Sequence, residues 1–175
     1  MSERGNATVH ASAVLVGDRA VLIRGPSGAG KSRLAFDLIL AGRTGQIPPA
    51  ILVGDDRVRL DTSGGNLIVR PPRELAGLIE IRGLGIRRIE HVGEAAVGLV
   101  VDLAAADAER LPAAEALTTA IHGVKIPRIP VESRYQPFPL IVAWLTTTAG
   151  TPVTQPSDDC RKEIGNHISP TIATE

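Results

Sequence analysis

The sequence contains very few aromatic residues, with one Trp, one Tyr and two Phe among 175 residues. A folded core must therefore be built from Val, Ile, Leu and Ala, which favours an α/β packing with aliphatic strands over an aromatic-rich β-sandwich. A lone cysteine, Cys160, excludes an internal disulfide framework and cannot form a structural zinc site by itself. Both shortages favour a chain that is held together by aliphatic packing.

The chain also has no excess charge, because 19 basic residues balance 19 acidic ones. This balance gives no indication of nucleic acid or an anionic membrane as a general partner. No stretch approaches about 18 uninterrupted apolar residues, and the N-terminus lacks an apolar signal core. We therefore expect a cytoplasmic protein that binds neither nucleic acid nor membrane.

Short apolar runs separated by turn residues predict an α/β domain. Residues 14–16 and 20–23 flank Gly17-Asp18-Arg19 and predict a β-hairpin, and 95–103 predicts a central strand. In the first half of the chain we also expect a helix after residue 32 that ends at Gly42, a strand at 50–53, and a hairpin of 58–60 with 67–69. In the second half we expect a helix at 104–120, an edge strand at 126–131, and a strand or short helix at 140–145. We expect residues 1–145 to form one domain and the polar segment 146–175 to be a loosely ordered tail.

A phosphate-binding loop lies between the first hairpin and the first helix. Its residues match G-x-x-x-x-G-K-[ST] in full and are Gly25, Pro26, Ser27, Gly28, Ala29, Gly30, Lys31 and Ser32. The glycines let consecutive backbone N–H groups converge on phosphate oxygens, and the helix N-terminus adds positive partial charge. Lys31 is expected to reach the β- and γ-phosphates of ATP, and the Ser32 hydroxyl to bind Mg²⁺. The alternative is a glycine-rich turn that merely opens a helix.

Three further segments accompany this loop in a fixed order. His10 precedes it, Asp55-Asp56-Arg57-Val58 follows the next strand, and LIEIRGLGI spans residues 78–86. Together these strings resemble the catalytic domain of the HPr kinase/phosphorylase family over about residues 8–145. The resemblance implies a P-loop fold related to phosphoenolpyruvate carboxykinase, a mixed sheet with flanking helices, and ATP-dependent phosphorylation of a serine of the carrier protein HPr. It also implies a homo-oligomer and, in some members, a reverse reaction that uses inorganic phosphate.

Three acidic residues are candidates for the active site. Asp56 resembles the base that accepts the serine proton, and Asp55 is expected to orient it or to touch metal. Glu80 resembles the second ligand of Mg²⁺, beside Ser32. Each has a structural alternative: the aspartates could cap a loop and hold Arg57, and Glu80 could pair with Arg82 on the same strand face.

Two further residues carry the resemblance less directly. His10 resembles the active-site histidine beside the transferring phosphate, although a histidine that opens a strand is commonly a solvated or core-edge residue. Arg134 is the nearest candidate for an arginine that the family carries in a glycine-containing loop. Family members commonly carry a domain before the kinase domain, and about nine residues precede His10 here, so the chain is similar to a short form.

Other charged residues are open to two interpretations. Asp102 ends an apolar strand, where a second nucleotide motif would place an acid, but a strand-end cap is the preferred interpretation. Arg87, Arg88, His91, Lys125 and Arg128 form either a docking patch for an acidic partner or a solvated face. We therefore expect an HPr serine kinase that uses ATP and Mg²⁺. The alternatives are a small-molecule kinase and a regulator that senses nucleotide or phosphate without transferring it.

Overall fold

A computed structural model describes residues 7–150 of the chain. Its strands are β1 (Ala11–Val16), β2 (Arg19–Arg24), β3 (Ala50–Gly54), β4 (Arg59–Ser63), β5 (Asn66–Arg70), β6 (Leu78–Ile81), β7 (Gly85–Arg88), β8 (Ala95–Leu103), β9 (Thr118–Ile121) and β10 (Val124–Val131). The helices are α1 (Lys31–Arg43) and α2 (Pro137–Thr146), and a short 3-10 helix covers Arg73–Leu75. Apart from residues 146–150, the expected tail lies outside the described residues, as does Cys160.

Most strands join one mixed sheet, whose main path runs β3-β1-β2-β8-β10-β9. β1 and β2 form the expected hairpin, with Val14 opposite Val21. β8 lies parallel to both β2 and β10, and its first residues pair with β5 of the β4–β5 hairpin. The carboxyl ends of β2, β8 and β10 therefore meet at one edge of the sheet. The loop of residues 25–30 follows β2 at this edge, so the topology places a phosphate-binding loop where parallel strands end.

The sheet has an apolar core on each face because its strands alternate aliphatic side chains. Val21 and Ile23 of β2 pack in the core that contains α1, whereas Ala20 and Leu22 pack in the core that contains β4 and β5. All four of these side chains are buried. Complete burial of one such leucine contributes roughly 1.5–3 kcal/mol. The two cores fix β2 from both sides, and β2 in turn fixes the loop that follows it.

Helix α1 covers the face of the sheet on which Val21 and Ile23 lie. Leu34, Leu38 and Ile39 are buried at helical spacing and form its contact with the strands. Gly42 lies inside the helix instead of ending it as expected, since the helix runs on to Arg43. A Cβ on Gly42 would lie 2.5 Å from the backbone nitrogen of Ala50, so this glycine permits close contact between α1 and the start of β3.

Strands β6 and β7 form a separate two-stranded hairpin beside the main sheet. Ile79 is buried in the core that contains α1, which anchors β6 against the main body. The backbone N–H of Val92 donates to Leu52 of β3 at 2.9 Å and ties down the chain that follows the hairpin. The string 78–86 is therefore a hairpin attached near the carboxyl end of β3.

The expected helix at 104–120 is wrong. Residues 104–117 form turns, Ala104 has a positive φ of 55°, and Thr118–Ile121 is β9. Alanine-rich composition is only a weak indication of helix, and Leu111 here remains 84% exposed because no apolar stripe meets the core. Pro112 also lacks the N–H that a helix interior requires.

Two further expected segments, residues 126–131 and 140–145, are a strand and a helix. β10 pairs with β9 through residues 124–127 and with β8 through residues 128–131, so each half has one partner strand and tolerates its proline. The segment at 140–145 belongs to helix α2, with Ile141 buried against the α1 core. None of the helices within residues 7–150 has the length and apolar character that crossing a bilayer requires.

Candidate active site

The loop between β2 and α1 has the backbone geometry that its glycines allow. Gly25, Gly28 and Gly30 have φ values of 151°, 80° and 94°, a region that residues with a Cβ rarely occupy. Gly25 also lies so close to β8 that a Cβ there would approach the Leu103 Cβ to 2.9 Å. The loop is thus fixed against the end of β8 and leads directly into the N-terminus of α1.

Lys31 is buried at the base of this loop. Its ammonium group donates to the carbonyl oxygens of Gly25 and Pro26 at 2.9 and 3.0 Å. Burial lowers the pKa of Lys31, and the negative charges of Asp55 and Asp56 partly oppose that shift. A buried cation of this kind, held by carbonyl oxygens of the loop, is suited to a polyphosphate ligand.

A cavity of about 410 Å³ opens in front of the loop. Its lining brings together side chains and backbone from the loop, α1, β6 and the segments that flank β1 and β3. The lining residues are His10, Ser27, Gly28, Gly30, Lys31, Ser32, Arg33, Phe36, Asp56, Glu80, Ile81 and Arg82. Basic and acidic residues thus line one cavity, as recognition of phosphate and metal requires.

His10 and Asp56 form a pair at the wall of the cavity. The His10 Nε2 lies 3.3 Å from the Asp56 Oδ1. Two backbone hydrogen bonds between Val9 and Val58, at 2.8 and 3.0 Å, bring the segment before β1 alongside the segment after β3. Asp56 has a φ of 64°, a left-handed conformation in which aspartate is tolerated. The structure therefore brings together two residues that are 46 positions apart in the sequence.

Asp55 occupies a different environment from its neighbour. Its side chain is buried, and it accepts hydrogen bonds from the Ser12 hydroxyl at 2.5 Å and from the Glu80 backbone N–H at 3.1 Å. The Asp56 side chain, by contrast, is 64% exposed and lines the cavity. Of the two carboxylates, only Asp56 is open to a substrate that enters this cavity.

Ser32 and Glu80 line the same cavity from α1 and β6. A hydroxyl and a carboxylate are hard oxygen ligands that suit Mg²⁺, which commonly keeps waters and phosphate oxygens as its other ligands. Within residues 7–150 there is no group of three or more His, Cys, Asp or Glu side chains arranged to hold a metal. The donor set present here fits an ion that arrives together with a nucleotide.

Glu80 and Arg82 form no ion pair in the part of the chain that the structure describes. Arg82 lies beyond β6, in the turn that the Leu84 N–H closes on the Ile81 carbonyl at 2.9 Å. Both side chains line the cavity. The structural alternative for Glu80 is therefore wrong.

Arg134 is not brought to the cavity. It is exposed in the turn between β10 and α2, and the lining residues do not include it. The guanidinium groups that do line the cavity belong to Arg33 and Arg82. Sequence reasoning missed Arg33, although its position directly after the lysine and serine of the loop could have signalled it.

Asp102 is part of an ion-pair network at the ends of three parallel strands. Arg24 of β2 donates to both of its carboxylate oxygens at 2.7 Å, and Arg128 of β10 donates to one of them at 2.5 Å. Arg128 also pairs with Asp107 at 2.6 Å. Burial raises the pKa of the Asp102 carboxyl, but the two arginines outweigh it and hold the pKa below its usual value. Asp102 joins strands here and does not line the cavity.

The basic residues proposed as a docking patch do not cluster. Arg128 belongs to the network just described, whereas Lys125 is exposed near the far end of β10. Arg87 and Arg88 lie on the exposed strand β7, where Arg88 donates to the Ala76 carbonyl. The interpretation as solvated residues fits Arg87, Arg88, His91 and Lys125, which are exposed, but not Arg128.

Comparison with known proteins identifies the family. A model of the HPr serine kinase C-terminal domain matches residues 4–143. The chain belongs to the HPr serine kinase C-terminal domain family. The HPr kinase/phosphorylase of Mycoplasma mycoides is 38% identical over 101 residues, which cover 54% of this chain and 30% of that protein. The HPr kinase/phosphorylase of Bordetella pertussis is 40% identical over 117 residues, which cover 60% and 36%.

A solved structure of this family has the same fold. The Hpr(Ser) kinase/phosphatase from Coxiella burnetii matches with a TM-score of 0.63 and 28% identity, over 79% of this chain and 93% of that chain. This match confirms the expected P-loop kinase fold with a mixed sheet. The chain spans about a third of the length of the curated relatives it matches.

Proposed function

We propose that this member of the HPr serine kinase family transfers the γ-phosphoryl group of ATP to a serine of the carrier protein HPr. One observation carries the proposal: Lys31, Ser32, Glu80 and the His10–Asp56 pair all line one cavity. These are the groups that phosphoryl transfer to a hydroxyl needs, and the names of the relatives supply the acceptor.

In the proposed reaction the protein mainly positions reactants and balances charge. The N–H groups of the loop and the Lys31 ammonium bind the phosphates. The Asp56 carboxylate takes the proton of the serine hydroxyl, the serine oxygen bonds to the γ-phosphorus, and the bond from that phosphorus to the ADP oxygen breaks. His10 lies against Asp56 and orients its carboxylate toward the acceptor.

Ser32 and Glu80 are the residues that would hold Mg²⁺. When bound, the ion neutralises charge on the phosphate oxygens. Because the two ligands come from α1 and β6, their shared site depends on the docking of the β6–β7 hairpin against the main body.

Further parts of the proposal follow from family membership. Asp56 would act as an acid if inorganic phosphate removes the phosphoryl group from HPr, which makes the reverse phosphorylase reaction a natural companion activity. Residues 1–145 would form the catalytic domain. The protein would act in the cytoplasm as a homo-oligomer and would regulate carbohydrate uptake through the phosphotransferase system.

The test is to mix the protein with HPr, ATP and Mg²⁺ and to detect phosphoserine by mass spectrometry. HPr with its acceptor serine replaced by alanine is the control substrate and should stay unmodified. Absence of phosphate on HPr, with nucleotide binding intact, would overturn the proposal in favour of a nucleotide-sensing regulator.

A further inference from the structure

A buried polar pair lies behind the cavity. Ser12 of β1 is 0% exposed and Asp55, directly after β3, is 3% exposed. The Ser12 hydroxyl donates to the Asp55 Oδ1 at 2.5 Å, and the Asp55 Oδ2 accepts the backbone N–H of Glu80 at 3.1 Å. Three segments of the chain thus meet at one carboxylate.

These two bonds engage both oxygens of the Asp55 carboxylate. Neither Ser12 nor Asp55 lines the cavity, whereas His10 and Asp56, their near neighbours in sequence, both do. Burial of a carboxylate is unfavourable unless hydrogen bonds compensate it, so this group needs a structural or functional reason.

The position of its second partner supplies that reason. β6 pairs only with β7 and is not hydrogen-bonded into the main sheet within the described residues. Ile79 fixes β6 through apolar packing, which is not directional. The bond from the Glu80 N–H to Asp55 is directional, and it acts on the very residue whose side chain enters the cavity.

We propose that the Ser12–Asp55 pair is a positioning unit that holds Glu80 at the cavity and thereby sets the affinity of the nucleotide complex for divalent metal. The inference rests on the proposed function, in which Glu80 is a metal ligand. Asp55 acts through hydrogen bonds to the backbone, and its negative charge is not what the metal requires.

The test measures Mn²⁺ binding to the full chain in the presence of a non-hydrolysable ATP analogue, by electron paramagnetic resonance. Asp55→Ala removes both bonds and should weaken Mn²⁺ binding about 10–100-fold, the usual effect of losing an outer-shell partner. Ser12→Ala removes one support and should weaken it in the same direction. Binding of the analogue without metal should not change in Ser12→Ala, which leaves the negative charge of Asp55 in place.

Asp55→Asn separates positioning from charge. The asparagine oxygen can accept the Glu80 N–H, and its amide can donate to the Ser12 oxygen. Mn²⁺ affinity in this variant should therefore fall by less than the roughly 10-fold that marks loss of a partner. Ser63→Ala, at the exposed last residue of β4, is the matched control for Ser12→Ala and should bind Mn²⁺ as wild type does.

Several outcomes would overturn the proposal. One is wild-type Mn²⁺ affinity in Ser12→Ala, which decides the matter even where Asp55→Ala fails to fold. Another is an Asp55→Asn variant that is as impaired as Asp55→Ala, because Asp55 would then act through its charge on the metal. If the Mn²⁺ results hold while wild-type protein leaves HPr unmodified, the proposed function fails and the positioning role stands.

Discussion

At the scale of single residues, the two adjacent aspartates show how environment divides the work of identical side chains. Asp55 is buried and bonded on both oxygens, whereas Asp56 is exposed, lies in a left-handed turn and contacts His10. A general base must be reachable by the hydroxyl that it deprotonates. Accessibility therefore favours the proposed assignment of Asp56 as the base, as the resemblance also does.

Asp56→Asn should lower phosphoryl transfer about 10²–10⁴-fold, the usual contribution of a general base. This range corresponds to roughly 3–5 kcal/mol of transition-state free energy. Nucleotide affinity should stay unchanged, because the Lys31 ammonium and the loop N–H groups remain. Single-turnover transfer to HPr and titration with a fluorescent ATP analogue measure the two quantities. Asp18→Asn, in the exposed β1–β2 turn, is the control. Loss of transfer in Asp55→Asn with full transfer in Asp56→Asn would reverse the assignment.

Lys31→Ala should lower transfer by at least about 10²-fold, since it removes a preorganised donor to the transferring phosphate. The fold should persist, because the variant also removes the cost of burying a cation. Circular dichroism and thermal unfolding check the fold, and phosphoserine formation on HPr checks the chemistry. Lys125→Ala, at an exposed position on β10, should match wild type. Activity within a few-fold of wild type in folded Lys31→Ala would contradict the assigned role.

At the scale of elements, the Asp102 network joins the strands that carry the loop. Arg24 immediately precedes Gly25 in the chain, and its bidentate contact with Asp102 links the end of β2 to β8. Arg128 extends this link to β10 and, through the Ala116 carbonyl, to the turns before β9. The acid at the end of a central strand thus stabilises the sheet edge, whereas the carboxylates that line the cavity belong to Asp56 and to Glu80 of the β6–β7 hairpin.

Asp102→Asn should lower the free energy of unfolding by about 3 kcal/mol at pH 7, near the low end for breaking a buried ion pair. The low end applies because Arg24 is 35% exposed and Arg128 retains Asp107. The pKa of Asp102 is lower in the folded state than in the unfolded chain. Its stabilisation is therefore present above pH about 4 and is lost as the pH falls through the folded value.

Urea unfolding of wild type and Asp102→Asn between pH 3 and 7 measures this contribution. The difference between the two proteins should be constant near neutral pH and should shrink in acid. Glu109→Gln, in the turns after β8, is the control. A stability difference that does not depend on pH would show that Asp102 does not act through its charge.

The strands and the loop could be predicted from sequence because their signals are local. Two apolar runs around Gly17-Asp18 specify a hairpin, and a complete phosphate-loop motif specifies strand, loop and helix. The helix prediction for residues 104–117 failed because their alanine content favours helix. In the structure, the contacts of Arg128 with Asp107 and Ala116 hold these residues in turns. Such contacts join segments that are far apart in sequence, and no local pattern reveals them.

The residues of the candidate site could be predicted where they belong to a sequence motif. Residues on motifs were found, and His10, Asp56, Glu80 and the loop do share a cavity. Ser12, the partner of Asp55, and Arg33 were missed, since neither a buried serine in a strand nor an arginine in a helix is distinctive by itself. Arg134 was proposed by analogy with a loop whose flanking glycine this sequence lacks, and its role stays a prediction.

At the scale of the whole molecule, the charged residues of the cavity and the exposed apolar residues of α2 occupy different parts of the surface. Basic and acidic groups meet at the cavity, and an apolar surface lies elsewhere, on α2. This helix contains no charged residue, and only Ile141 is buried in it. Leu140 and Trp144 are four positions apart on one helix face and are 39% and 44% exposed. An apolar helix face of this kind is suited to contact with a second copy of the chain.

The proposed homo-oligomer should therefore depend on this face of α2. Trp144→Gln should weaken self-association by about 2 kcal/mol, or roughly 30-fold in the dissociation constant, as expected for an aromatic anchor in an interface. Leu140→Ser should act in the same direction.

Sedimentation equilibrium over a range of concentrations measures the dissociation constant. Trp144, the sole tryptophan, offers a second readout, because its emission should shift to shorter wavelength as wild-type protein assembles. Leu111→Ser, at a position 84% exposed in the turns after β8, is the control. A wild-type chain that stays monomeric at all concentrations would contradict assembly itself. Dissociation by Leu111→Ser but not by Trp144→Gln would place the interface at the turns after β8 instead of on α2.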